Sequence, residues 1–583
     1  MGLNRLKSIR VGLSVLFFVL TAFLFLDFWN SISPSVAGAI LYLQFVPSLL
    51  KFLTTGAAGA TGFIAVVILT VLFGRVYCST ICPLGTLQDV IGVAARKNGK
   101  RRRFRWSKPR RVLRYSILSL TVLLLLGGSG FVLNLLDPFS SFGRIFSNLV
   151  RPLVLLVNNV TAAGLEHFNI HTLYQVRWAV IAPLSAGIAV LTLAVVAWLS
   201  AGHGRLYCNT VCPVGALLGL LSRVSLFRVG IDPENCLKCR LCESVCKAGC
   251  IDTMASTIDV TRCVACYNCF TVCNMQALRF EYKQPWHTIE SLWTNRHRVE
   301  RHMPRRSLLA KPEGAARSEK RSNQKGCEQF REGCNAAFRP EAPFIHRLFE
   351  ARPKPGRRGF MLNSVLWVAG IAGLGEPAKN IIQSRPTSIP VRLTSPVSPP
   401  GSASIAHFIS TCTACHLCVS ACPSRVLVPS FLEFGFLGMM QPRLDFQDAH
   451  CNYDCTICTN ICPSGALFPL AAERKKLTQL GVAKFIKENC VVHTDRTSCG
   501  ACSEHCPTKA VSMVPYPNPA NPKLVIPEVN EEYCIGCGGC EHACPTKPFK
   551  AIYVDGNPVH RLAKKPVVQK VDDKVDYEED FPF

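Results

Sequence analysis

Two copies of one cysteine pattern, C-x2-C-x2-C-x3-C, lie between residues 236 and 273 of this sequence. Thiolates at this density favour iron–sulfur clusters over zinc, which is usually bound by two separated C-x2-C pairs. In ferredoxins with two such copies, the fourth cysteine of each copy binds the cluster of the other copy. The pattern therefore predicts two [4Fe–4S] clusters. The predicted ligands are Cys236, Cys239, Cys242 and Cys273 for the first cluster, and Cys263, Cys266, Cys269 and Cys246 for the second.

Sixteen further cysteines form four related sets near the C-terminal end of the chain. One of these sets has one extra residue in its first gap, and the next has a long first gap. In chain order the sets are motif 1 (Cys236, Cys239, Cys242, Cys246), motif 2 (Cys263, Cys266, Cys269, Cys273), motif 3 (Cys412, Cys415, Cys418, Cys422), motif 4 (Cys451, Cys455, Cys458, Cys462), motif 5 (Cys490, Cys499, Cys502, Cys506) and motif 6 (Cys534, Cys537, Cys540, Cys544). We expect one [4Fe–4S] cluster for each motif, six in all.

A stretch from Gly74 to Gly85 recurs with few changes from Gly204 to Gly215, and each copy contains Y-C-x3-C-P-x-G. Such internal similarity indicates a duplicated unit. Three interpretations are open for the thiols: ligands of a metal or cluster, dithiols beside a quinone, or packed side chains in a turn that ends a helix. The four cysteines are Cys78, Cys82, Cys208 and Cys212.

The six motifs use 24 of the 31 cysteines. Cys250, which closely follows motif 1, is interpreted as a packed thiol. Cys327 and Cys334 have no third ligand nearby, which favours incidental thiols over a redox pair. The C-x-x-C-H pattern that ends at His416 also matches c-type haem attachment, but motif 3 already requires both of its cysteines.

The 583-residue chain has a mean hydropathy of +0.23 and a formal net charge of +27. Four apolar runs each approach the ~20 residues needed to cross a bilayer, and we predict four transmembrane helices from them. These runs are Val11–Phe28, Ala57–Phe73, Val112–Leu136 and Trp178–Ala201. Two more segments, Val36–Leu53 and Arg144–Ala163, are predicted to be shorter helices at the outer interface.

Lys and Arg are concentrated in the loop 96–114, which predicts that this loop and the N-terminus are cytoplasmic. Asp137 is then outside, and motifs 1 and 2 are cytoplasmic. Basic residues placed beside apolar runs, without a binding motif, argue against nucleic-acid binding. The runs contain no His, which argues against b-type haem and favours a lipid-soluble quinol. Asp137 and Arg144 are candidate quinol-proximal groups; loop capping is the equal alternative.

Four spans, twin Y-C-x3-C-P-x-G motifs, an outward Asp-Pro and two ferredoxin motifs together resemble NapH and the related MauN. That resemblance implies a membrane quinol-oxidising accessory protein of a nitrate-reductase or methylamine-dehydrogenase system. The part from Arg357 to Val571 resembles NapG and MauM, ferredoxin-type proteins with four clusters. Arg357-Arg358 before an apolar run is then interpreted as a twin-arginine export signal; the alternative is an ordinary Arg pair before a buried or interfacial helix.

The NapG resemblance implies that motif 3 shares ligands with motif 6, and motif 4 with motif 5. The implied ligand sets are Cys412, Cys415, Cys418 and Cys544; Cys534, Cys537, Cys540 and Cys422; Cys451, Cys455, Cys458 and Cys506; and Cys490, Cys499, Cys502 and Cys462. Short predicted strands at Lys523–Ile526 and Ala551–Val554 are typical of small α+β ferredoxins.

The predicted fold is therefore an α-helical membrane bundle of four duplicated transmembrane helices plus α+β ferredoxin-like domains. The predicted domains are a membrane domain (1–222), a two-cluster ferredoxin domain (223–282), a basic linker (283–355), a twin-Arg segment with a Pro/Ser connector (356–403), a four-cluster ferredoxin domain (404–571) and an acidic tail (572–583).

We expect an inner-membrane protein that passes electrons from quinol to a periplasmic reductase or cytochrome, with its C-terminal domain in the periplasm. The sequence has no Rossmann or P-loop glycine pattern, which favours an electron-transfer subunit over a stand-alone enzyme. Two alternatives use the same clusters: a redox-sensing or metal-centre maturation protein, and a polyferredoxin scaffold without turnover.

Overall fold

The computed structural model describes residues 2–27, 31–56, 61–97, 104–176, 182–282, 395–516, 523–547 and 549–565. These all belong to one unit of the chain. The predicted linker, the twin-Arg segment, Cys327 with Cys334, and the acidic tail lie outside the described residues.

The N-terminal part is helical because its sequence is dominated by long apolar runs, and several helices begin with a Pro at their first position. The helices are α1 (Gly2–Leu26), α2 (Pro34–Tyr42), α3 (Phe45–Thr55), α4 (Gly62–Phe73), α5 (Tyr77–Thr80), α6 (Pro83–Lys97), α7 (Arg111–Leu126), α8 (Phe131–Leu136), α9 (Pro138–Ile145), α10 (Arg151–His167), α11 (Pro183–His203), α12 (Leu206–Thr210) and α13 (Pro213–Leu221). A π-helical turn, Phe146–Val150, joins α9 to α10.

By length and composition, three helices of the described residues can cross a membrane: Arg5–Leu26, Pro138–His167 and Pro183–His203. A fourth span exists if α2 and α3, bent by 107°, count as one. The first and last of these helices cover two of the four predicted spans, and together they indicate membrane association.

The second and third predicted spans are shorter than expected, so the prediction of four duplicated spans is not confirmed. Helix α4 has 12 residues and α7 has 16. Helix α7 ends because Gly127 and Gly128 follow it, and Gly128 adopts a φ of +78°. The segment Arg144–Ala163, predicted to be a short interfacial helix, instead lies within a helix of 30 residues.

Motifs 1 and 2 lie between two antiparallel strands that enclose them. Strand β1 (Phe227–Ile231) pairs with β4 (Leu278–Tyr282), with Phe227 opposite Tyr282. Between the motifs, β2 (Ile251–Asp252) pairs with β3 (Thr257–Ile258). Motif 1 contains the short helix α14 (Leu241–Ser244). We call residues 223–282 the two-cluster domain.

Residues 395–565 form a second ferredoxin-like part, which we call the four-cluster domain. Its helices are α15 (Ile405–Thr411), α16 (Leu417–Ala421), α17 (Ile457–Ile461), α18 (Ala472–Leu477), α19 (Val491–Thr494), α20 (Ala501–Glu504) and α21 (Gly539–Ala543). Its antiparallel strand pairs are β5 (Leu427–Pro429) with β6 (Pro442–Leu444), β7 (Thr478–Phe485) with β10 (Ile552–Leu562), and β8 (Val511–Pro515) with β9 (Val525–Val529). Strands β9 and β10 overlap the two that the sequence predicts. Residues 395–403, predicted as connector, pack on this domain, where Val397 and Ser398 are buried.

Helix α1 links the two ferredoxin-like parts. Near its N-terminal end, Lys7 Nζ lies 3.5 Å from the Thr271 hydroxyl in the two-cluster domain. Near its C-terminal end, α1 contacts α16 of the four-cluster domain. Lys7 and Phe25 are separated by roughly 27 Å at 1.5 Å rise per residue. The two cluster-binding domains therefore lie at opposite ends of one helix.

Candidate metal centres

The backbone of the cysteine loops has an unusual, repeated conformation. In four motifs the residues on both sides of the second cysteine have positive φ, which is uncommon for residues other than Gly. These are Lys238 (53°) and Arg240 (61°), Ala265 (49°) and Tyr267 (59°), Ala414 (49°) and His416 (62°), and Gly536 (68°) and Gly538 (78°). Alternation of this kind turns successive N–H groups into a concavity that suits the sulfide-rich surface of an iron–sulfur cluster. The loops therefore fit [4Fe–4S] clusters.

In the two-cluster domain, the thiols meet in the groups that the sequence predicts. The neighbours of Cys242 include Cys236, Cys239 and Cys273. Cys246 lines one cavity together with Cys263, Cys266 and Cys269. We call these groups centre 1 and centre 2. The thiols are therefore grouped with the fourth cysteines of motifs 1 and 2 exchanged, as the spacing predicts, and cluster binding by these groups stays a prediction.

In the four-cluster domain, the grouping implied by the NapG resemblance is wrong. Cavities or close neighbours group each motif with the one next to it in sequence, because each adjacent pair folds together: α16 packs on α17, and α20 on α21. The groups are centre 3 (Cys412, Cys415, Cys418 with Cys462), centre 4 (Cys451, Cys455, Cys458 with Cys422), centre 5 (Cys490, Cys499, Cys502 with Cys544) and centre 6 (Cys534, Cys537, Cys540 with Cys506). Motif 3 thus exchanges with motif 4, and motif 5 with motif 6.

Contacts between neighbouring centres give a linear order. Cys418 of centre 3 has Cys458 of centre 4 as a neighbour. The backbone N–H of Cys451 in centre 4 donates to the carbonyl of Cys537 in centre 6 at 3.0 Å. Cys540 of centre 6 has Cys502 of centre 5 nearby. The order is therefore 3, 4, 6, 5, with centre 3 at the end next to α1.

Burial favours the protonated form of several of these thiols. It raises the pKa of Cys242 and of Cys502 to about 11, and that of Cys415 to about 12. Thiolate ligands at these positions need the positive charge of iron, so cluster binding and deprotonation are linked. Among the described residues, no three His, Cys, Asp or Glu side chains are placed to hold a single metal ion.

Cys250 is a packed thiol, as the sequence predicts, but it also contacts a predicted ligand. Its Sγ lies 3.5 Å from the Sγ of Cys246. A hydrogen bond from Cys250 lowers the pKa of Cys246 to about 6. Hydrogen bonds to cluster sulfurs adjust reduction potential, so Cys250 is part of the surroundings of centre 2.

The twin motifs bring two buried arginines to the opposite copies. Arg75 of the first copy donates to the carbonyl of Cys208 at 3.1 Å and to Asn209 Oδ1 at 2.7 Å. Arg205, at the equivalent position of the second copy, donates to the carbonyl of Cys78. The four thiols Cys78, Cys82, Cys208 and Cys212 are all buried in this region. The cysteine spacing indicated these motifs, but it did not predict that the two arginines contact the opposite copies.

Small residues make this crossing possible. A Cβ on Gly85 would lie 2.4 Å from the Cys78 carbonyl oxygen, and one on Gly215 would lie 2.2 Å from that of Cys208. Cys212 also receives a hydrogen bond from the Gly215 N–H at 3.3 Å. Burial nevertheless raises the pKa of Cys82 and Cys212 well above the usual thiol value.

One carboxylate connects the bundle to the two-cluster domain, and we call this contact the first joint. Asp89 Oδ2 lies 2.8 Å from Arg205 Nη2, 3.0 Å from Lys247 Nζ and 3.5 Å from Arg10 Nη1. Burial alone would raise the pKa of Asp89, but the cations hold it well below its usual range. Arg75 adds a hydrogen bond to the carbonyl of Thr261 at 3.1 Å, close to motif 2.

At the other end of α1, the four-cluster domain packs on the bundle through what we call the second joint. A Cβ on Gly143 would lie 2.3 Å from the Cys415 carbonyl oxygen, so only Gly allows this approach. Ser147 and Ser420 share a hydrogen bond of 2.8 Å between their hydroxyls. The ring of Phe131 lies 4.6 Å from that of Phe436.

His416 completes the second joint. Asn148 Nδ2 donates to His416 Nδ1 at 3.2 Å, so the proton is on Nε2, which donates to the Met440 carbonyl at 2.9 Å. Burial lowers the pKa of His416 to about 4, which keeps the ring neutral. His416 therefore positions the loop of centre 3 and is not a haem ligand.

Asp137 and Arg144 lie beside the second joint, and both make capping contacts. Asp137 Oδ2 accepts from the N–H and hydroxyl of Ser140, each at 2.8 Å. Arg144 donates to the carbonyls of Asn134 and Leu135 at 2.7 and 3.1 Å. The Asp137 carboxylate also acts electrostatically on Cys415 of centre 3.

Comparison with known proteins finds iron–sulfur relatives of this chain. A model described as "4Fe-4S binding domain" matches residues 55–103 and 183–232, and one described as "4Fe-4S dicluster domain" matches 495–547. The ferredoxin-type protein MauM of Methylobacillus flagellatus is 32% identical over 188 residues, which are 31% of this chain and 76% of MauM. NapG of Escherichia coli is 32% identical over 192 residues, 32% of this chain and 80% of NapG. NapH of Haemophilus influenzae is 27% identical over 261 residues, 42% of this chain and 74% of NapH.

Other relatives match over a smaller share of their length. The chain spans 64% of an uncharacterized protein of Methanocaldococcus jannaschii and 57% of the Escherichia coli protein YccM, which is named for electron transport. No solved structure matches the chain. Cluster-binding loops joined to apolar helices define an iron–sulfur electron-transfer protein with membrane association. The chain belongs to the family of ferredoxin-type electron transport proteins that includes NapG, NapH and MauM.

Proposed function

We propose that this protein is a membrane electron conduit that holds six [4Fe–4S] clusters, oxidises quinol and passes the electrons through the clusters of the four-cluster domain to a reductase or cytochrome. The observation that carries the proposal is the placement of centre 3. Its Cys415 lies directly on the bundle at Gly143, and centres 4, 6 and 5 lead away from there. Electrons accepted at the bundle then have one continuous route into the four-cluster domain.

The 24 motif cysteines are proposed as the cluster ligands, in the groups of centres 1 to 6. Each cluster supplies one-electron redox chemistry. The chain's own residues hold the clusters apart in order and exclude water from their thiolates. Arg75, Arg205 and Lys247 offset the negative charge of centre 2 and of the four thiols of the twin motifs, whose role as ligands or dithiols belongs to the same proposal.

We assign opposite sides of the inner membrane to the two domains. The basic segment before α7 packs against the two-cluster domain, where Phe104 N–H donates to the Ser244 carbonyl at 3.1 Å. Cationic loops stay in the cytoplasm, so the two-cluster domain belongs there. The four-cluster domain, at the other end of α1, then belongs in the periplasm. A twin-arginine signal at Arg357-Arg358 is the proposed means of export.

The predicted domain boundaries are retained, with residues 395–403 added to the four-cluster domain. The electron acceptor is proposed to be a periplasmic reductase or a redox carrier such as a cytochrome. A protein with two electron-transfer domains and a quinol site works as a subunit of such a system.

The test is reduction by a quinol. Anaerobically purified protein is mixed with menadiol, and [4Fe–4S]⁺ signals are recorded by low-temperature EPR; dithionite gives the full signal for comparison. We expect menadiol to reduce at least the centres of highest potential, in wild-type protein but not after heat denaturation. Iron-free protein, or centres that dithionite reduces and menadiol does not, would contradict the proposal. Protease protection of a tag placed after Phe583 checks the sidedness independently.

A further inference from the structure

Several buried polar atoms near the second joint have no hydrogen-bond partner among the described residues, and a side-chain amide donor and a carboxylate acceptor are among them. Gln44 is 0% exposed and its Nε2 donor is unpaired; Asp137 is 1% exposed and its Oδ1 acceptor is unpaired. Leaving such a group unpaired costs roughly 1–3 kcal/mol. A ligand that accepts one hydrogen bond and donates another would satisfy both of these buried atoms.

Tyr77 connects these two residues. Its hydroxyl donates to Gln44 Oε1 at 3.4 Å and accepts from the Phe45 N–H at 3.3 Å. The Asp137 carboxylate acts electrostatically on the same tyrosine. The aromatic ring of Phe45 lies 6.4 Å from that of Tyr77. Gln44 and Tyr77 therefore form a hydrogen-bonded pair beside the ring of Phe45, and Asp137 is near enough to Tyr77 to act on it electrostatically.

These three residues lie between the surface of the bundle and centre 3. Gln44 stands at the bend between α2 and α3, whose outward side chains Val36 and Leu53 are more than half exposed and apolar. On its other side, Asp137 acts electrostatically on Cys415. A lipid-soluble ligand would approach Gln44 from this apolar surface. The cluster proposed for centre 3 would lie on the side of Asp137.

We propose that Gln44, Tyr77 and Asp137 bind the hydroxyl group of a hydroquinone, with Gln44 Nε2 donating to its oxygen and Asp137 Oδ1 accepting its proton. This deepens the proposed function, because it gives the quinol site a place and residues. A hydroquinone hydroxyl donates one hydrogen bond and accepts another, and its apolar ring suits the ring of Phe45.

The reaction balances with the groups already described. Oxidation of one hydroquinone to quinone releases two protons and two electrons. Asp137 Oδ1 takes the proton of the hydroxyl that it holds, and the second proton passes to solvent. The two electrons would be taken up one at a time by clusters held in the four-cluster domain, and the cysteines of centre 3 would hold the nearest of them.

The test uses a quinol analogue that binds without turnover. 2-Heptyl-4-hydroxyquinoline N-oxide is titrated into purified protein, and its fluorescence quenching measures binding. The variants are Gln44→Leu, and Asp137→Asn, which keeps the cap of α9 because Asn caps as well as Asp. Ser200→Ala is the matched control, since Ser200 is also buried with an unpaired hydroxyl and lies near Gly92 of α6.

We expect both site variants to bind the analogue at least tenfold more weakly and to be reduced by menadiol at least tenfold more slowly. Ser200→Ala should match wild type, and dithionite should reduce all variants equally. Wild-type binding with unchanged binding in both site variants would overturn this inference and leave a water molecule as the partner of these atoms. Failure of menadiol to reduce wild-type protein would instead contradict the proposed function itself.

Discussion

The bundle contacts its two cluster-binding domains in different ways. The first joint is ionic: Asp89 holds Arg205, Lys247 and Arg10 in a largely buried network. The second joint depends on a close fit: Gly143 lets the Cys415 carbonyl lie against α9, and Ser147 pairs with Ser420. Buried charges hold the first joint together, whereas closely fitting surfaces hold the second joint together.

This difference suits domains that reach the bundle by different routes. Buried charges need their partners while the chain folds, because an unpaired buried charge is costly. Two domains that have already folded can instead associate through complementary surfaces. The two-cluster domain follows α13 directly in the chain, whereas the four-cluster domain is separated from it by residues 283–394. A domain proposed to be exported with its clusters in place would need a joint of the second kind.

The largest expected effect comes from removing the charge at the centre of the first joint. Asp89→Asn leaves three cations without their carboxylate, and breaking a buried pair of this kind costs about 3–5 kcal/mol. We expect a strong decrease in folded protein and in its melting temperature. Glu504→Gln, at an exposed position of the four-cluster domain, is the control. An unchanged melting temperature for Asp89→Asn would show that the network is not stabilising.

The second joint should be most sensitive to added volume. Gly143→Val places carbon atoms where the Cys415 carbonyl and the Phe25 ring now lie, so the joint should open. We expect reduction of centres 3 to 6 by menadiol to slow at least tenfold, while dithionite still reduces them. Gly164→Val is the matched control, because nothing lies within 4 Å of a Cβ there. Equal rates in both variants would mean that electrons do not pass through this joint.

Substitution of single cysteine ligands tests which cluster lies at the second joint. Cys462→Ser should remove the cluster of centre 3, about four iron atoms, and with it reduction of the whole domain by menadiol. Cys506→Ser should remove the cluster of centre 6 and leave centres 3 and 4 reducible. Iron analysis and EPR measure both. If Cys462→Ser left the cluster beside Gly143 intact, the pairing of motif 3 with motif 4 would be wrong.

The smallest expected effect concerns one hydrogen bond of the second joint. Ser147→Ala removes the partner of Ser420, and a bond of this type contributes about 0.5–1.5 kcal/mol. A double-mutant cycle with Ser420→Ala isolates the interaction, measured as resistance of the four-cluster domain to release by limited proteolysis. A coupling energy of zero would show that the 2.8 Å contact adds no stability.

Much of the chemistry could be predicted because cluster ligands are close in sequence. The spacing in motifs 1 and 2 was enough to predict the exchange of Cys246 and Cys273. The same local logic applied to motifs 3 to 6 gives the observed pairs, whereas family resemblance gave the wrong ones. Pairing follows from which motifs fold together, and adjacent motifs do so at the lowest loop-closure cost.

The spans and joints could not be predicted in the same way. A hydropathy profile does not show that Gly127 and Gly128 end α7. It also does not show that a π-helical turn joins α9 to α10 in one long helix. Asp89, Gly143 and Gln44 each look ordinary in sequence, because their roles depend on residues that are far away in the chain. Arg75 and Arg205 could have been identified from the sequence, because they occupy equivalent positions in the two copies of the duplicated stretch.

The position of Lys247 has a consequence for how the protein is made. Lys247 directly follows Cys246, so its approach to Asp89 depends on the loop that wraps centre 2. If centre 2 holds the proposed cluster, a shortage of iron would leave that loop without it, and Lys247 would then be held less firmly beside Asp89. Newly made chains would then keep a loosened bundle, which quality-control proteases could recognise before the protein ever meets its redox partners.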